Sequence, residues 1–162
     1  MTRWLHRIFA LAVLAVVLAA CGATPNPPAA EWNDDFADRF VLIGASGSAN
    51  GTNVGATIEP GEPFAVRSGT TWLASVWWTW TAPSSGLFAF DTVGTAFDTV
   101  LGVYTGDTLG ALAVVGENDD AVGLQSRVVF EAVAGTAYQV AVGGWTSTAS
   151  GAIVLNWGAA VE

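Results

Sequence analysis

The sequence predicts an all-β fold, a single antiparallel β-sandwich of jelly-roll-like form with about nine strands. From residue 40 onward, short apolar runs alternate with turn signals rich in Gly, Pro, Asn and Asp, and no ten-residue segment has a helical pattern. Apolar residues within the runs recur with a period of two, as at Phe88 and Phe90. The chain is long enough for one domain with a sizeable core, and its sequence contains neither an internal repeat nor a second domain.

The candidate strands are the nine apolar runs. In chain order they cover residues 40–43, 64–67, 72–80, 87–92, 100–104, 112–115, 128–133, 138–142 and 153–157. The segments between them contain the residues that favour turns. We expect residues 45–55, which are rich in Gly, Ser and Asn, to form a loop, and residues 59–63 to form a turn.

The first 21 residues have the features of an export signal. Arg3 and Arg7 precede an apolar run over residues 8–20, which is shorter than the about 20 residues needed to cross a bilayer. Small residues then lead directly to Cys21, the one cysteine of the chain. This order resembles the lipobox of bacterial lipoproteins, which implies cleavage before Cys21 and acylation of its thiol. An ordinary signal peptide with an incidental cysteine is the alternative.

The resemblance to the lipobox also implies a domain plan and a location. Residues 1–20 would be the lipoprotein signal peptide, residues 21–31 the lipidated Cys and a flexible spacer, and residues 32–162 the β-sandwich. A single acyl chain binds a membrane only marginally, so the implied two or three chains (palmitate among them) would hold the protein firmly. We expect an exported protein anchored in the cell envelope, and Gly22 favours the outer membrane where two membranes are present.

Composition excludes several classes of function. Once Arg3, Arg7 and His6 leave with the signal, three arginines, no lysine and no histidine remain against fourteen acids. Such a chain lacks the cationic surface that nucleic acid requires. It also lacks the residues of a Ser-His-Asp triad, a lysine Schiff base or a zinc site. A carboxylate pair, as in glycoside hydrolases, is the catalytic option that remains, but the acids lie mostly in turns. We therefore predict that the protein is not an enzyme.

A series of short motifs extends through the domain. Its members, in order, are Asn33-Asp34-Asp35-Phe36-Ala37, Gly51-Thr52-Asn53, Ser75-Val76-Trp77-Trp78, Phe97-Asp98-Thr99-Val100-Leu101, Asn118-Asp119-Asp120 and Ala134-Gly135-Thr136 with Tyr138. Their order and spacing resemble the bacterial pre-peptidase C-terminal domain family over nearly all of residues 32–157. The resemblance implies an exported, non-catalytic jelly-roll-like sandwich, usually appended to a secreted enzyme. Some relatives bind calcium, and the collagenase relatives bind their polymer substrate. No enzyme accompanies the domain in this sequence, so we do not expect the role of an appendage.

Acidic and amide residues in loops are candidate calcium ligands, because calcium prefers many hard oxygen ligands. The candidates are Asn33, Asp34, Asp35, Glu59, Glu62, Asn118, Asp119 and Asp120. In calcium-binding relatives an N-terminal stretch ending in Asn-Asp meets a pair of aspartates before a central strand. Asn33 and Asp34 match the first part, whereas Ser75 to Trp78 stand where the aspartates would be. Asx turns are the structural alternative. For Asp98 we expect a buried cap of loop N–H groups.

Aromatic residues give a second set of candidate ligand contacts. Alternation along residues 72–80 places Trp78 and Trp80 on one face, which we expect to be core, and Trp77 on the other. Aromatic rings that remain exposed could stack on sugars. The candidates for exposure are Trp77, Tyr104, Trp145 and Trp157.

The sequence therefore predicts a non-catalytic cell-envelope lipoprotein that displays a β-sandwich binding or adhesion module. Two alternatives remain: a module that binds carbohydrate or an extracellular polymer, and a structural or assembly lipoprotein that contacts another envelope protein. The expected partners are the membrane, through the N-terminal lipid, and a polysaccharide or an envelope protein, but not nucleic acid. Calcium is the one candidate cofactor.

Overall fold

The computed structural model describes residues 32–63 and 74–161. Within them, nine strands and two short 3-10 turns, at Phe36–Asp38 and Leu109–Ala111, follow one another. The strands are β1 (Phe40–Leu42), β2 (Gly47–Thr52), β3 (Val76–Thr81), β4 (Gly86–Asp91), β5 (Thr99–Thr105), β6 (Ala113–Asn118), β7 (Arg127–Ala132), β8 (Ala137–Gly144) and β9 (Ala152–Ala159). The predicted all-β fold is confirmed. The signal peptide, Cys21, the spacer and the candidate strand at 64–67 lie outside the described residues.

The strands form two sheets, one of five strands in the order β1-β3-β8-β5-β6 and one of four in the order β2-β9-β4-β7. Neighbouring strands are antiparallel except β1, which is parallel to β3. Because only residues 43–46 connect β1 to β2, these two edge strands lie on the same side of the sandwich. Strands β6 and β7 form the opposite side. In the part of the chain that the structure describes, none of the helical segments has the length and hydropathy of a transmembrane helix.

The inner core fills the space between the two sheets. Trp78 and Trp80, which alternation placed on one face of β3, are both buried there. The Trp80 ring packs against Phe88, at 4.9 Å between ring centroids, and against Phe90, at 5.6 Å. Its indole N–H donates to the Gly44 carbonyl at 2.8 Å, in the turn that joins the two sheets.

An outer cluster of buried residues covers the opposite face of the five-stranded sheet. Its buried members are Phe36, Trp77, Val100, Tyr104 and Ala141. Loop residues, not strands, cover them: Ile58, Leu109, Leu112 and Trp145 are partly buried against the cluster. The Phe36 ring meets Trp77 edge-on at 5.2 Å. The predicted exposure of Trp77 and Tyr104 is therefore wrong, because segments without a strand pattern close over this face.

The predicted exposure of Trp157 is also wrong. Alternation along β9 directs Ile153, Leu155 and Trp157 into the inner core. The Trp157 indole N–H donates to the Gly44 carbonyl at 3.3 Å, so this carbonyl receives one tryptophan from each sheet.

Strand β2 corrects the prediction that residues 45–55 form a loop. It pairs with β9 along its whole length in spite of its Gly-rich and polar sequence. Its glycines give room to tryptophans: a Cβ on Gly47 would lie 2.5 Å from the Trp157 ring, and one on Gly51 would lie 2.7 Å from the Trp78 ring. The glycines that suggested a loop are thus what lets this strand approach the core.

Candidate functional site

Five of the eight candidate calcium ligands lie near the start of β3. The buried Asn33 forms two hydrogen bonds with Trp77: its Nδ2 donates to the Trp77 carbonyl at 2.8 Å, and its own carbonyl accepts from the Trp77 N–H at 2.7 Å. The Asp34 carboxylate accepts from Thr57, from the N–H at 2.7 Å and from Oγ1 at 3.2 Å. Asp35 is exposed and is the N-cap residue of the 3-10 turn, but its side chain forms no capping hydrogen bond.

The two glutamates of this group connect separate segments of the chain. The Glu59 carboxylate accepts from the Phe36 N–H. The Glu62 carboxylate accepts from the Glu59 N–H at 2.9 Å and from the Ser75 hydroxyl at 2.6 Å. Burial raises the pKa of Glu62 above its ordinary value, and the Glu59 charge adds to this rise. Hydrogen bonds from Ser75, the Glu59 backbone and the Trp77 side chain oppose it.

The other three candidates lie at the end of β6 and directly after it. The Asn118 Oδ1 accepts from the Arg127 N–H at 2.9 Å, and the Asp119 carboxylate accepts from the Asp120 N–H at 2.9 Å. These contacts hold the segment that leads from β6 to β7. The first joins residues nine positions apart and the second joins adjacent residues, so neither is an Asx turn, in which the side-chain oxygen accepts from the N–H two residues later.

Asp98 lies near this second group. Partial desolvation raises the pKa of Asp98, and the charges of Asp120 and Asp119 raise it further. Its side chain is only half-buried and accepts no hydrogen bond from the described residues, so the prediction of a buried cap is wrong. The backbone takes this role, since the Asp98 carbonyl accepts from the Trp145 N–H at 3.0 Å.

The fold keeps the two groups of candidate ligands apart. Strands β8 and β5 separate β3 from β6, and three strand spacings amount to about 14 Å. Among the described residues, no three His, Cys, Asp or Glu side chains converge in a way that could hold a metal ion. Calcium binding at either group stays a prediction.

The candidate stacking residues are for the most part inside the protein. Trp77, Tyr104 and Trp157 are buried, so their rings have no face open to a ligand in this conformation. Trp145 is half-buried against the outer cluster. The tryptophan with the largest exposed fraction among the described residues is Trp32, at 49 %. Sequence reasoning missed it because it precedes β1 and belongs to no alternating run.

Trp32 lines an edge cleft of about 250 Å³ on the side of the sandwich where β1 and β2 lie. The lining residues are Trp32, Asn33, Asp34, Phe40, Asn50, Gly51, Thr52 and Val76. Most of its polar side chains already bind within the fold. The Thr52 Oγ1, for example, donates to the Gly151 carbonyl at 3.1 Å and accepts from the Val54 N–H at 3.2 Å. The edge cleft therefore offers apolar surface, the Trp32 ring and the backbone of β2.

Solved structures with a similar fold were found, but the two described below have low sequence identity to this chain. No protein-family model matches the chain, and no curated protein matches it. The fold is similar to the pre-peptidase C-terminal domain of collagenase from Bacillus anthracis, with 12 % identity, a TM-score of 0.44 and coverage of 74 % of this chain and 94 % of that one. It is also similar to PliG from Aeromonas hydrophila, a periplasmic lysozyme inhibitor of g-type lysozyme, with 15 % identity, a TM-score of 0.43 and coverage of 74 % and 91 %.

Proposed function

We propose that this chain is a non-catalytic lipoprotein of the cell envelope whose β-sandwich binds another envelope component. The observation that carries the binding role is the edge cleft, which combines the half-exposed Trp32 with apolar surface from Phe40 and Val76. Concave sites with apolar walls and a few polar groups are the usual form of binding sites.

A non-catalytic role is supported by how the carboxylates are used. Catalytic carboxylates need open positions beside a substrate, with one acid and one base or nucleophile at a set separation. Here the carboxylates of Asp34, Glu59 and Glu62 accept hydrogen bonds that join separate segments of the fold. Among the described residues that line the edge cleft, Asp34 is the one that carries a carboxylate. Detectable hydrolysis of any polysaccharide in a panel, lost in the Asp34→Asn variant, would contradict the proposal.

The lipid anchor is supported by the position of Cys21 directly after an apolar run of signal-peptide length. The test is metabolic labelling of the full-length chain with a palmitate analogue, followed by membrane fractionation. We expect the label and the membrane association to be lost in Cys21→Ser, while Thr24→Ser in the spacer keeps both. A labelled Cys21→Ser variant would disprove acylation at this residue.

Carbohydrate binding is a second candidate function, favoured by the exposure of Trp32. Aromatic rings that line a cleft are suited to the apolar faces of sugars. Binding of a neutral polysaccharide that is lost in Trp32→Ala and kept in Trp145→Phe would support it. Equal retention of both variants on the same polysaccharide would exclude the edge cleft as its site.

Calcium binding is proposed as an accessory property, and the separation of the two acidic groups makes it testable. We expect millimolar calcium to raise the melting temperature of the full-length protein in detergent. Asp34→Asn would abolish the rise if calcium binds near β3, and Asp119→Asn would abolish it if calcium binds beyond β6. An unchanged melting temperature in the wild-type protein would rule out both sites.

A further inference from the structure

Strand β2 forms an edge of the four-stranded sheet, and β9 is its one neighbour among the described residues. Natural edge strands usually contain a charge, a proline or a bulge that prevents pairing with another chain. The six residues of β2, from Gly47 to Thr52, contain no charge and no proline, and their pairing with β9 is regular throughout. The other edge strand of this sheet, β7, carries the charged residues Arg127 and Glu131. The β7 edge therefore carries charges that oppose pairing with another chain, whereas the β2 edge carries none.

The outward backbone groups of β2 can be identified from the hydrogen bonds at its end. The Asn53 N–H donates to the Gly151 carbonyl, which marks a hydrogen-bonded pair just beyond the strand. Hydrogen-bonded pairs occur at every second residue of an antiparallel ladder. The backbone N–H and C=O of Gly51 therefore point toward β9, while those of Asn50 and Thr52 point away from it. The N–H and C=O groups of Asn50 and Thr52 have no hydrogen-bond partner in the described part of the chain. They form a template for one more strand.

The edge cleft adjoins these backbone groups. Asn50, Gly51 and Thr52 form one wall, and Trp32, Phe40 and Val76 supply apolar surface. A volume of about 250 Å³ is below the range of pockets that hold drug-sized ligands. It suits a single side chain, which a strand paired with β2 would direct to this side at every second residue.

The charge of this part of the domain indicates which kind of chain would pair with β2. The described segment before β3 contains one cation, Arg39, against the acids Asp34, Asp35, Asp38, Glu59 and Glu62. A second copy of the chain would bring the same negative charge to the edge, and the whole chain has a net charge of −9. Electrostatic complementarity therefore favours a basic partner and opposes self-pairing.

We propose that β2 is a docking strand for an extended basic segment of another protein. The segment pairs with the backbone of Asn50 and Thr52 and inserts one apolar side chain into the edge cleft. This inference deepens the proposed function by naming the class of partner. It rests on that function only for the expectation that the partner is encountered in the cell envelope.

The experiment uses the full-length protein in detergent and a nine-residue peptide in which lysine alternates with valine around a central leucine. Hydrogen exchange at the Asn50 and Thr52 amides is expected to be fast without the peptide and slow with it. The matched peptide with glutamate in place of lysine is expected to bind at least about tenfold more weakly. Amides already protected in the free protein would overturn the proposal, since the edge would then be covered by this chain itself. Equal binding of the acidic peptide would also overturn it.

Two proline variants test the edge with a matched control. Asn50→Pro removes an outward N–H of β2, and we expect the basic peptide to bind about fivefold or more weakly. In β7 the Val129 N–H also faces outward, because the Thr92 N–H bond to the Ser126 carbonyl fixes the same alternation there. Val129→Pro is expected to leave binding unchanged. Equal losses in the two variants would overturn the proposal, and the exchange measurement stands if Asn50→Pro does not fold.

Two other outcomes of the hydrogen-exchange experiment would assign the β2 edge to a different ligand. Protection of the Asn50 and Thr52 amides by a neutral polysaccharide, but not by the peptide, would overturn the peptide proposal in favour of a glycan. Protection that depends on protein concentration, with a dimer in sedimentation, would overturn it in favour of a second copy. Acylation of Cys21 is measured separately, so failure of the peptide test is distinguishable from failure of the anchored-module proposal.

Discussion

Two adjacent tryptophans of β3, Trp77 and Trp78, are both fully buried, but in different surroundings. Trp78 lies in the inner core, where two hydrogen-bonded sheets enclose it. Trp77 lies in the outer cluster, which includes Phe36 from a 3-10 turn and against which loop residues such as Ile58 pack. One strand can thus bury both of its faces when short irregular segments cover the face that points away from the second sheet.

The two regions differ in how their cover is held. Backbone ladders fix the sheets around the inner core. Individual contacts fix the cover of the outer cluster, namely those of Asn33 with Trp77, Glu59 with Phe36, and Glu62 with Ser75. Segments held by few hydrogen bonds open at lower free energy than paired strands. We therefore expect the outer cluster to open before the inner core.

The largest effect is expected from truncation in the inner core. Trp80→Ala removes a buried ring that contacts Phe88 and Phe90 and the hydrogen bond to the Gly44 carbonyl. We expect a loss of about 4 kcal/mol in the free energy of unfolding, from urea denaturation followed by circular dichroism. A loss below about 2 kcal/mol would contradict the central place of this ring.

The same truncation in the outer cluster is expected to cost less. Trp77→Ala leaves a space that the segment around Phe36 can partly fill, so we expect a loss of about 3 kcal/mol. Hydrogen exchange should accelerate for residues 33–38 and remain slow in β4. A loss larger than that of Trp80→Ala would reverse the ranking of the two regions.

A smaller effect is expected from one hydroxyl of the outer cluster. Tyr104→Phe removes the hydrogen bond from the Tyr104 hydroxyl to the Glu117 carboxylate, at 2.9 Å, and keeps the ring. We expect a loss of about 1 kcal/mol, measured by urea denaturation. Tyr138→Phe is the matched variant in the inner core, where the hydroxyl accepts from the Val133 N–H at 2.9 Å. A loss above about 2 kcal/mol for Tyr104→Phe alone would show that the outer contact contributes more than a typical hydrogen bond.

The smallest expected effect is a dependence on pH. Because burial raises the pKa of Glu62 in the folded state, the folded protein binds more protons than the unfolded chain at pH values between the two pKa values. The stability that Glu62 contributes is fully present at pH values below its pKa in the unfolded chain. It is lost as the pH rises through its pKa in the folded protein. Thermal unfolding across this window should show a weaker decline in Glu62→Gln than in the wild type, whereas Glu131→Gln, on the exposed face of β7, should retain the decline. An identical decline in Glu62→Gln would contradict the assignment.

Sequence patterns predicted the inner core well, because alternation in a strand directly encodes which residues point inward. Trp78, Trp80, Phe88 and Phe90 are buried as that pattern requires. They predicted the outer cluster poorly, since the cover of Trp77 comes from Phe36, which is distant in the sequence and lies outside any strand.

The edge cleft could not be predicted for a related reason. The sequence of β2 predicts a loop because glycine has a low preference for strands. At Gly47 and Gly51, the need for space beside two indole rings overrides that preference. Trp32 belongs to no strand, so no periodic pattern indicates whether its ring lies inside or outside. The ring lies beside a later segment of the chain, since a Cβ on Gly55 would lie 3.3 Å from it.

The two hydrogen bonds between Asn33 and Trp77 have a mechanical consequence. Asn33 precedes β1 in the chain, so we expect tension applied on its N-terminal side to reach these bonds before it reaches β1. Both bonds join the same two residues and share the load side by side, and they must break together before the pull reaches β1. These bonds thus fasten the segment that precedes β1 to β3, and we expect a force strong enough to break them to loosen the outer cluster while the two sheets stay paired.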